Sequence, residues 1–539
     1  MITFPLRLAA GLFDPVNESA SFMMRGVAQS QISPEGEQFY LVQFADSISE
    51  NDKMSLEAAG AEIFDYIPDF AFLVRMDAAA ETAVSNLDSV RWVGTHDTSF
   101  RMAPTLVEEF VTGGGTGLVS LVAVVPDVAE VERMKTAVEA LGGTVTDTTA
   151  SDWQGTVWLT IDAANIANVA ALDAISWVEA SPEYALHNSA AVGVTGVSTV
   201  WTNNGLFGEG QIVAVADSGF DQGVITAGAS MHQDFEDHSG GSRVISLTDN
   251  TNGGDAVVAD NTTGHGTHVA GTVLGNGLTG GSTSGNYGGT EAGVAPQAQL
   301  YFQAINDSGA GVTSVSPPAD LNDLFQPAYT AGARIHTNSW GAGVSGAYTT
   351  NSRNADEFAW NNKDMLILFS AGNDGEDTVA DGVIDLDSMG APGTAKNVLT
   401  VGASENNRSG FGNTYNSLFS GRYPTAPISS DTAGDDVNGM AAFSSRGYTD
   451  DGRVKPDIVA PGTWINSTCA LPVPTCGANA YTYNFGTSMS TPHVAGAATL
   501  VREYFIKQQF YSPSAALMKA MLLNQATDMS PGQYGTGAT

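Results

Sequence analysis

Gly-Thr-Ser-Met-Ser-Thr-Pro-His-Val-Ala-Gly, residues 486–496, sets a serine behind a glycine and directly ahead of an apolar run that predicts a helix over about 490–509. Pro492 suits the first turn of that helix, because the amide hydrogen it lacks would be unpaired there anyway. The Ser488 hydroxyl is therefore expected over a helix N-terminus, where unpaired amides and the positive end of the dipole suit a developing oxyanion. Serine is also a common helix cap, so the choice between cap and nucleophile rests on the rest of the chain.

A serine hydroxyl is a weak nucleophile until a base takes its proton, and that base needs a group to hold its tautomer and stabilise its charge. Both residue types occur upstream. QIVAVAD, residues 211–217, is a short β-branched run typical of a strand buried on both faces, and it ends on Asp217. A carboxylate at the C-terminal end of such a strand occupies the usual functional edge of an open α/β sheet. GHGTHVAGT, residues 264–272, starts a helix at His265, with Ala270 and Gly271 small enough for close packing. The chain order is Asp217, His265, Ser488.

The segments VAVADSG (213–219), GHGTHVAGT and GTSMSTPHVAG resemble the three signature blocks of subtilisin-like serine proteases, in the family's order. The resemblance covers roughly residues 190–530. It implies Asp217 as orienting carboxylate, His265 as general base and then acid, and Ser488 as nucleophile. LILFSAGNDG, residues 366–375, resembles the oxyanion segment, which implies Asn373 as a side-chain donor beside the backbone amide of Ser488. An Asn next to Gly after a strand is otherwise a turn residue. The resemblance further implies that substrate lies as an added strand between Ser339-Trp340-Gly341 and Ser308-Gly309-Ala310-Gly311. Ala371, Gly372 and Gly390 would form an open, mostly apolar primary pocket, favouring a large apolar or aromatic residue before the cut. No acidic residue is assigned to its floor.

With 539 residues and 42% apolar content the chain has enough material for at least two cored domains. Its 58 acidic against 21 basic residues, net charge −37, disfavour nucleic acid and anionic membranes as partners. No apolar run reaches the ~18 residues of a membrane span. Residues 1–13 are apolar but short and carry one arginine, a remnant of a signal peptide at most. A secreted location therefore follows from the enzyme class, with protein or peptide substrates as partners. Cys469 and Cys476 bracket CALPVPTC; in an extracellular protein they read as a disulfide, the alternative being two thiols.

The first 190 residues contain an internal repeat. Residues 39–44 (FYLVQF) are echoed by 120–125 (SLVAVV), and 77–93 (DAAAETAVSNLDSVRWV) by 162–178 (DAANIANVAALDAISWV). Each copy reads strand, helix, strand, strand, helix, strand, a ferredoxin-like order, with GGGTG at 113–117 as a flexible joint. Such modules resemble subtilisin propeptides. The expected organisation is an N-terminal segment over 1–35, propeptide-like modules over 36–112 and 118–187, and a peptidase domain over 188–539. The second module's tail, around 182–188, would enter the cleft as a product-like inhibitor, with cleavage near 185–192. The peptidase part is most similar to the large oxidatively stable alkaline proteases, which carry a C-terminal β-sandwich; the chain stops at Thr539 after a Gly-rich stretch, leaving that domain either absent or beyond the sequence.

The fold class is thus α/β, a doubly wound, mostly parallel sheet preceded by two small α+β modules. Strands are predicted at 211–217, 299–305, 334–339, 366–371 and 398–402, with helices at 319–331 and 353–362 between them. The acidic stretch 374–387 partly matches a calcium loop, with Asp377, Asp381, Gly382 and Asp385 at positions 1, 5, 6 and 9. Val379 and Ser388 fall where further ligands belong, so a solvated acidic loop is the alternative to structural calcium. The chemistry itself needs no cofactor. His268 and His493 read as structural, and Met489 as an oxidisable neighbour of the nucleophile. Two other functions fit parts of the chain: a catalytically silent peptide-binding pseudoprotease, and a protease-inhibitor module.

Overall fold

The computed structural model describes residues 5–8, 11–15, 33, 36–181, 184–186, 195–252, 257–261, 263–288, 290–306, 314–530, 532 and 534. It divides into two compact units, residues 1–181 and 182–539.

In the second unit every residue of the VAVA run in β1 (Ile212–Asp217) is buried, and alternate side chains feed two cores. Val213 and Val215 join one, Ala214 and Ala216 the other, as period-two geometry requires. The remaining strands are β2 (Val244–Asp249), β3 (Gln299–Ala304), β4 (Ile335–Asn338), β5 (Leu366–Ser370), β6 (Leu399–Ser404) and β7 (Ile458–Pro461). Their order across the sheet is β2-β3-β1-β4-β5-β6-β7, and every pairing is parallel. The first core packs α1 (His265–Leu274), α4 (Thr487–Gln508) and α5 (Ala515–Gln525) on one face. The second packs α2 (Leu321–Thr330) and α3 (Thr350–Asn361) on the other. Each fully buried Val or Leu in these layers contributes about 1.5–3 kcal/mol.

The C-terminal ends of β1 and β4 meet the N-termini of α1 and α4 at one edge, the expected place for function in an open parallel sheet. Gly266 makes this approach feasible: a Cβ there would lie 2.3 Å from the Gly219 carbonyl oxygen and 3.1 Å from Asp217 Cβ.

The first unit holds two four-stranded antiparallel sheets. One is ordered Glu62–Ile67, Ala71–Met76, Gln38–Phe44, Val90–Thr95, with helices Glu50–Ala58 and Ala78–Ser85. The other is ordered Trp177–Ala180, Leu118–Val125, Gly155–Asp162, Thr144–Ala150, with helices Val131–Ala140 and Ile166–Ala170. Both have the ferredoxin-like order, and the repeat extends to detail. Each carries a register shift in its second strand, at Ile63/Asp65 and Val145/Asp147. Each aligned segment opens on an aspartate cap, Asp77 accepting from Ala80 N (2.7 Å) and Asp162 from Ala164 N (3.0 Å). Leu6–Leu8 pairs antiparallel with Gly11–Phe13, and Leu6 is buried with Phe39, Leu41 and Leu73, so this stretch is part of the first module.

Candidate active site

The three candidate residues arrive from β1, α1 and α4. Asp217 Oδ1 lies 2.5 Å from His265 Nδ1 and accepts the Ser218 amide at 2.8 Å. Both side chains are almost wholly buried. The helix bearing Ser488 starts at Thr487 rather than near residue 490, with Gly486 (φ 138°) as its N-cap and no side-chain cap. Ser488 is therefore inside the first turn and is not the cap. Its hydroxyl donates to the Ser339 carbonyl at 2.6 Å.

The earlier helix start moves Pro492 from the first turn into the helix interior. A proline amide cannot donate to the carbonyl four residues back, so the Ser488 carbonyl has no helical partner from that position. The Ser339 hydroxyl supplies one, donating to Ser488 O at 2.6 Å. Ser339 and Ser488 thus hold each other reciprocally, and the proline is what makes the second bond available.

Asn373 Oδ1 accepts from Thr487 N (2.9 Å) and Thr487 Oγ1 (3.0 Å). These two donors orient the amide and leave Nδ2 as its donor end. Its backbone is gripped by Arg422, whose Nη2 donates to the carbonyls of Asn373 and Gly375, both at 2.8 Å. Gly372 (φ 108°) has no room for a Cβ, which would meet Ser445 Oγ at 2.7 Å.

A buried carboxylate outside the sequence motifs supports the Asp217–His265 pair. Asp260 accepts from Ser218 Oγ (3.0 Å), Gly264 N (3.1 Å), Thr267 N (2.9 Å) and Thr267 Oγ1 (2.8 Å). Burial pushes its pKa up to about 6, against the pull of the Thr267 donors. Ser218 Oγ in turn accepts from Gly266 N at 3.0 Å, coupling β1 to the start of α1. Asp260 lies in a loop without a recognisable spacing to the motifs, which is why sequence reasoning passed over it.

The strand Trp340–Gly343, which holds part of the expected first rail, pairs antiparallel with Gly390–Ala391 on one side. On its other side it pairs with Tyr184–Leu186, through Ala185↔Gly341 and Leu186↔Trp340. Tyr184–Leu186 also pairs antiparallel with Ser314–Val315. The expected second rail at Gly309, Ala310 and Gly311 lies outside the described residues. Trp340 contributes backbone only; its ring is buried and Nε1 donates to Ala216 O at 3.1 Å. Ala371 O accepts from Gly390 N at 2.9 Å, joining two of the expected pocket segments. The exposed Asp374 lies close by: a Cβ on Gly372 or Gly343 would sit 3.3 Å from its Oδ2, so this side of the expected pocket carries a carboxylate.

The Subtilase family profile matches residues 208–537. The chain belongs to the subtilase family. The matched region is preceded by a stretch, residues 7–97, that matches a domain of unknown function, DUF8729. Among similar proteins, the serine protease/ABC transporter B family protein tagD of Dictyostelium discoideum is 28% identical over 60% of this chain. The chain spans only 20% of that relative's length. The alkaline protease of Alkalihalobacillus alcalophilus is 29% identical over 68% of this chain and 72% of its own. Subtilisin Savinase of Lederbergia lenta is 29% identical over 62% of this chain and 90% of its own.

In the acidic loop of this subtilase the three expected calcium ligands each accept from backbone amides. Asp377 accepts from the amides of Asp381 (3.0 Å) and Gly382 (3.1 Å). Asp381 accepts from Val383 N (3.0 Å), and Asp385 from Thr378 N (2.6 Å). The carboxylates hold the loop's own amides, and no group of three or more metal-ligating side chains gathers among the described residues. Cys469 and Cys476 are disulfide-bonded, with Cα atoms 5.7 Å apart. Met489 is fully buried in the first core, shielded from bulk oxidant. Among the described residues, no helix is long and apolar enough to cross a membrane.

His268 and His336 are fully buried and neutral; burial lowers both from the usual 6.5 to about 3. His268 Nε2 faces the carbonyls of Ile465 and Thr482, and His336 Nε2 faces Gln303 Oε1. In the unfolded chain each takes a proton below pH 6.5, while the folded state refuses it until about 3, so stability falls as pH falls through that window. Each histidine is expected to remove about 1.4 kcal/mol per pH unit there. Denaturant midpoints measured from pH 7 to 3.5 check this, and His336→Gln should flatten the slope.

Proposed function

We propose that this subtilase is a secreted endopeptidase, made as a self-processing zymogen, that cuts through an acyl-enzyme formed on Ser488. The observation that carries the reading is the antiparallel pairing of Tyr184–Leu186 on both sides, with Ser314–Val315 and with Trp340–Gly341. A substrate peptide would occupy the same lane by strand addition. The two ferredoxin-like modules would act as the propeptide, with their tail as the first substrate and then as product-like inhibitor. Residues 187–194, which include most of the expected cleavage region, lie outside the described residues.

In the proposed reaction the Ser488 hydroxyl leaves the Ser339 carbonyl and gives its proton to His265 Nε2 as Oγ attacks the scissile carbonyl. Asp217 holds Nδ1–H and stabilises the imidazolium. The oxyanion develops toward Asn373 Nδ2 and the backbone amide of Ser488, and the helix N-terminus favours its charge. His265 then protonates the leaving amine, and water repeats the sequence to release the acyl group.

The small residues Ala371, Gly372 and Gly390 support a preference for a large apolar side chain before the cut, and Asp374 adds a place for the end of a basic one. Purified full-length protein should generate a new N-terminus within 185–192 and then hydrolyse casein. A folded chain that does neither is the pseudoprotease instead. Asn373→Ala is expected to lower kcat by about 10²–10³ with little change in KM, because the donor acts on charge present only in the transition state. An equal rise in KM would assign Asn373 to ground-state binding.

A further inference from the structure

The loop closed by Cys469 and Cys476 touches segments that carry all three proposed catalytic residues. It is the tip of an antiparallel hairpin, Ile465–Thr468 paired with Tyr481–Asn484, and the second strand runs directly into the Ser488 segment. Leu471 N donates to Asp221 Oδ1 at 2.8 Å, while Asp221 Oδ2 accepts from His232 N at 2.7 Å. Asp221 is buried, stands four residues after Asp217, and its own amide donates to Thr267 Oγ1 of α1 at 2.8 Å. On the other side the loop packs on Gly264, the residue before His265. A Cβ at Gly264 would lie 3.1 Å from Val473 Cγ2 and 3.7 Å from Ala470 N. The hairpin stem is bonded to α1 as well: Ser467 Oγ donates to His268 O (2.9 Å) and Thr468 Oγ1 to Thr267 O (2.8 Å).

We infer that the disulfide-closed loop, acting through Asp221 and Gly264, is a positioning element for the Asp217–His265 pair, and that a dithiol releases it. The inference rests on the proposed catalytic reading. Only seven positions separate the two cysteines, and a ring this short constrains the unfolded chain less than a long one does. Its effect is therefore local. Cys476 is partly exposed, beside the exposed Pro474 and Thr475, and this is the side from which a thiolate would approach the bond. In the exchange the dithiol is oxidised to its own disulfide, the Cys469–Cys476 bond is reduced, and the dithiol's two protons end on the two cysteine sulfurs.

The test uses self-processed enzyme, a chromogenic peptide with an aromatic residue before the cut, and dithiothreitol as the dithiol. Reduction is expected to lower kcat about tenfold, as a small misplacement of catalytic groups does, while KM stays within roughly twofold. Reoxidation should restore the rate. The double variant Cys469→Ser, Cys476→Ser should begin at the lower kcat and ignore the dithiol. Asp221→Asn, which puts a donor where Leu471 or His232 needs an acceptor, should lower kcat with the disulfide intact. Unchanged kcat after mass spectrometry has found both thiols free overturns the inference. So does a loss of rate that follows the loss of circular dichroism, since the loop would then be only a stability element. An oxidised wild type without activity, or with activity that survives Ser488→Ala, overturns the catalytic reading itself.

Discussion

Ser488→Ala is expected to lower turnover by about 10⁶-fold, the scale on which a catalytic serine of this kind acts, and to leave the chain at full length. Both effects share one cause. The proposed first substrate is the chain's own tail, so a protein without its nucleophile neither processes itself nor hydrolyses added casein. Gel electrophoresis and N-terminal sequencing read the first effect, and a peptide assay on separately processed material reads the second. Removing Oγ also removes the donor to Ser339 O, but Ser339 Oγ still reaches the Ser488 carbonyl. The helix start should therefore persist, and circular dichroism should match wild type. A variant that still trims itself at the wild-type rate would show that Ser488 is not the nucleophile.

Asp217→Ala is expected to lower kcat by about 10⁴ with a small change in KM, because His265 loses the carboxylate that orients it and balances its charge. Asp217→Asn should lose less. Both donors, His265 Nδ1 and Ser218 N, meet on the single oxygen Oδ1, and an asparagine can keep its carbonyl oxygen there while surrendering the charge. The tautomer of His265 would then be preserved, with only the electrostatic part lost. If Asn proves as damaging as Ala, the amide has turned its nitrogen toward His265, and the Ser218 amide is too weak an anchor to prevent it.

The candidates Asp217, His265, Ser488 and Asn373 were legible because each stands in a short motif whose local chemistry is distinctive: a strand ending on a carboxylate, a helix opening on histidine, a glycine-led serine. The doubled module was legible for a similar reason, since its copies repeat both the hydrophobic pattern and the capping aspartates Asp77 and Asp162. The start of α4 was misread by about one turn. Pro492 invites placement at a helix beginning, and only the bond from Ser339, 149 residues away, shows how an interior proline is accommodated. Spacing reports which carboxylates of the acidic loop are near in sequence, not which amides they will face. In the folded loop Asp377, Asp381 and Asp385 face amides of the loop itself.

The sequence alone determined the family and the parallel sheet and pointed to the side chains proposed for acyl transfer, because strand and helix periodicity and motif chemistry are local properties. Only the tertiary structure decided how those side chains are held. Asp260 under Ser218, Arg422 behind Asn373, Ser339 against Ser488 and the disulfide loop on Asp221 are partnerships between distant segments. They depend on how buried donors and acceptors find one another when the layers close, and no spacing along the chain encodes that pairing.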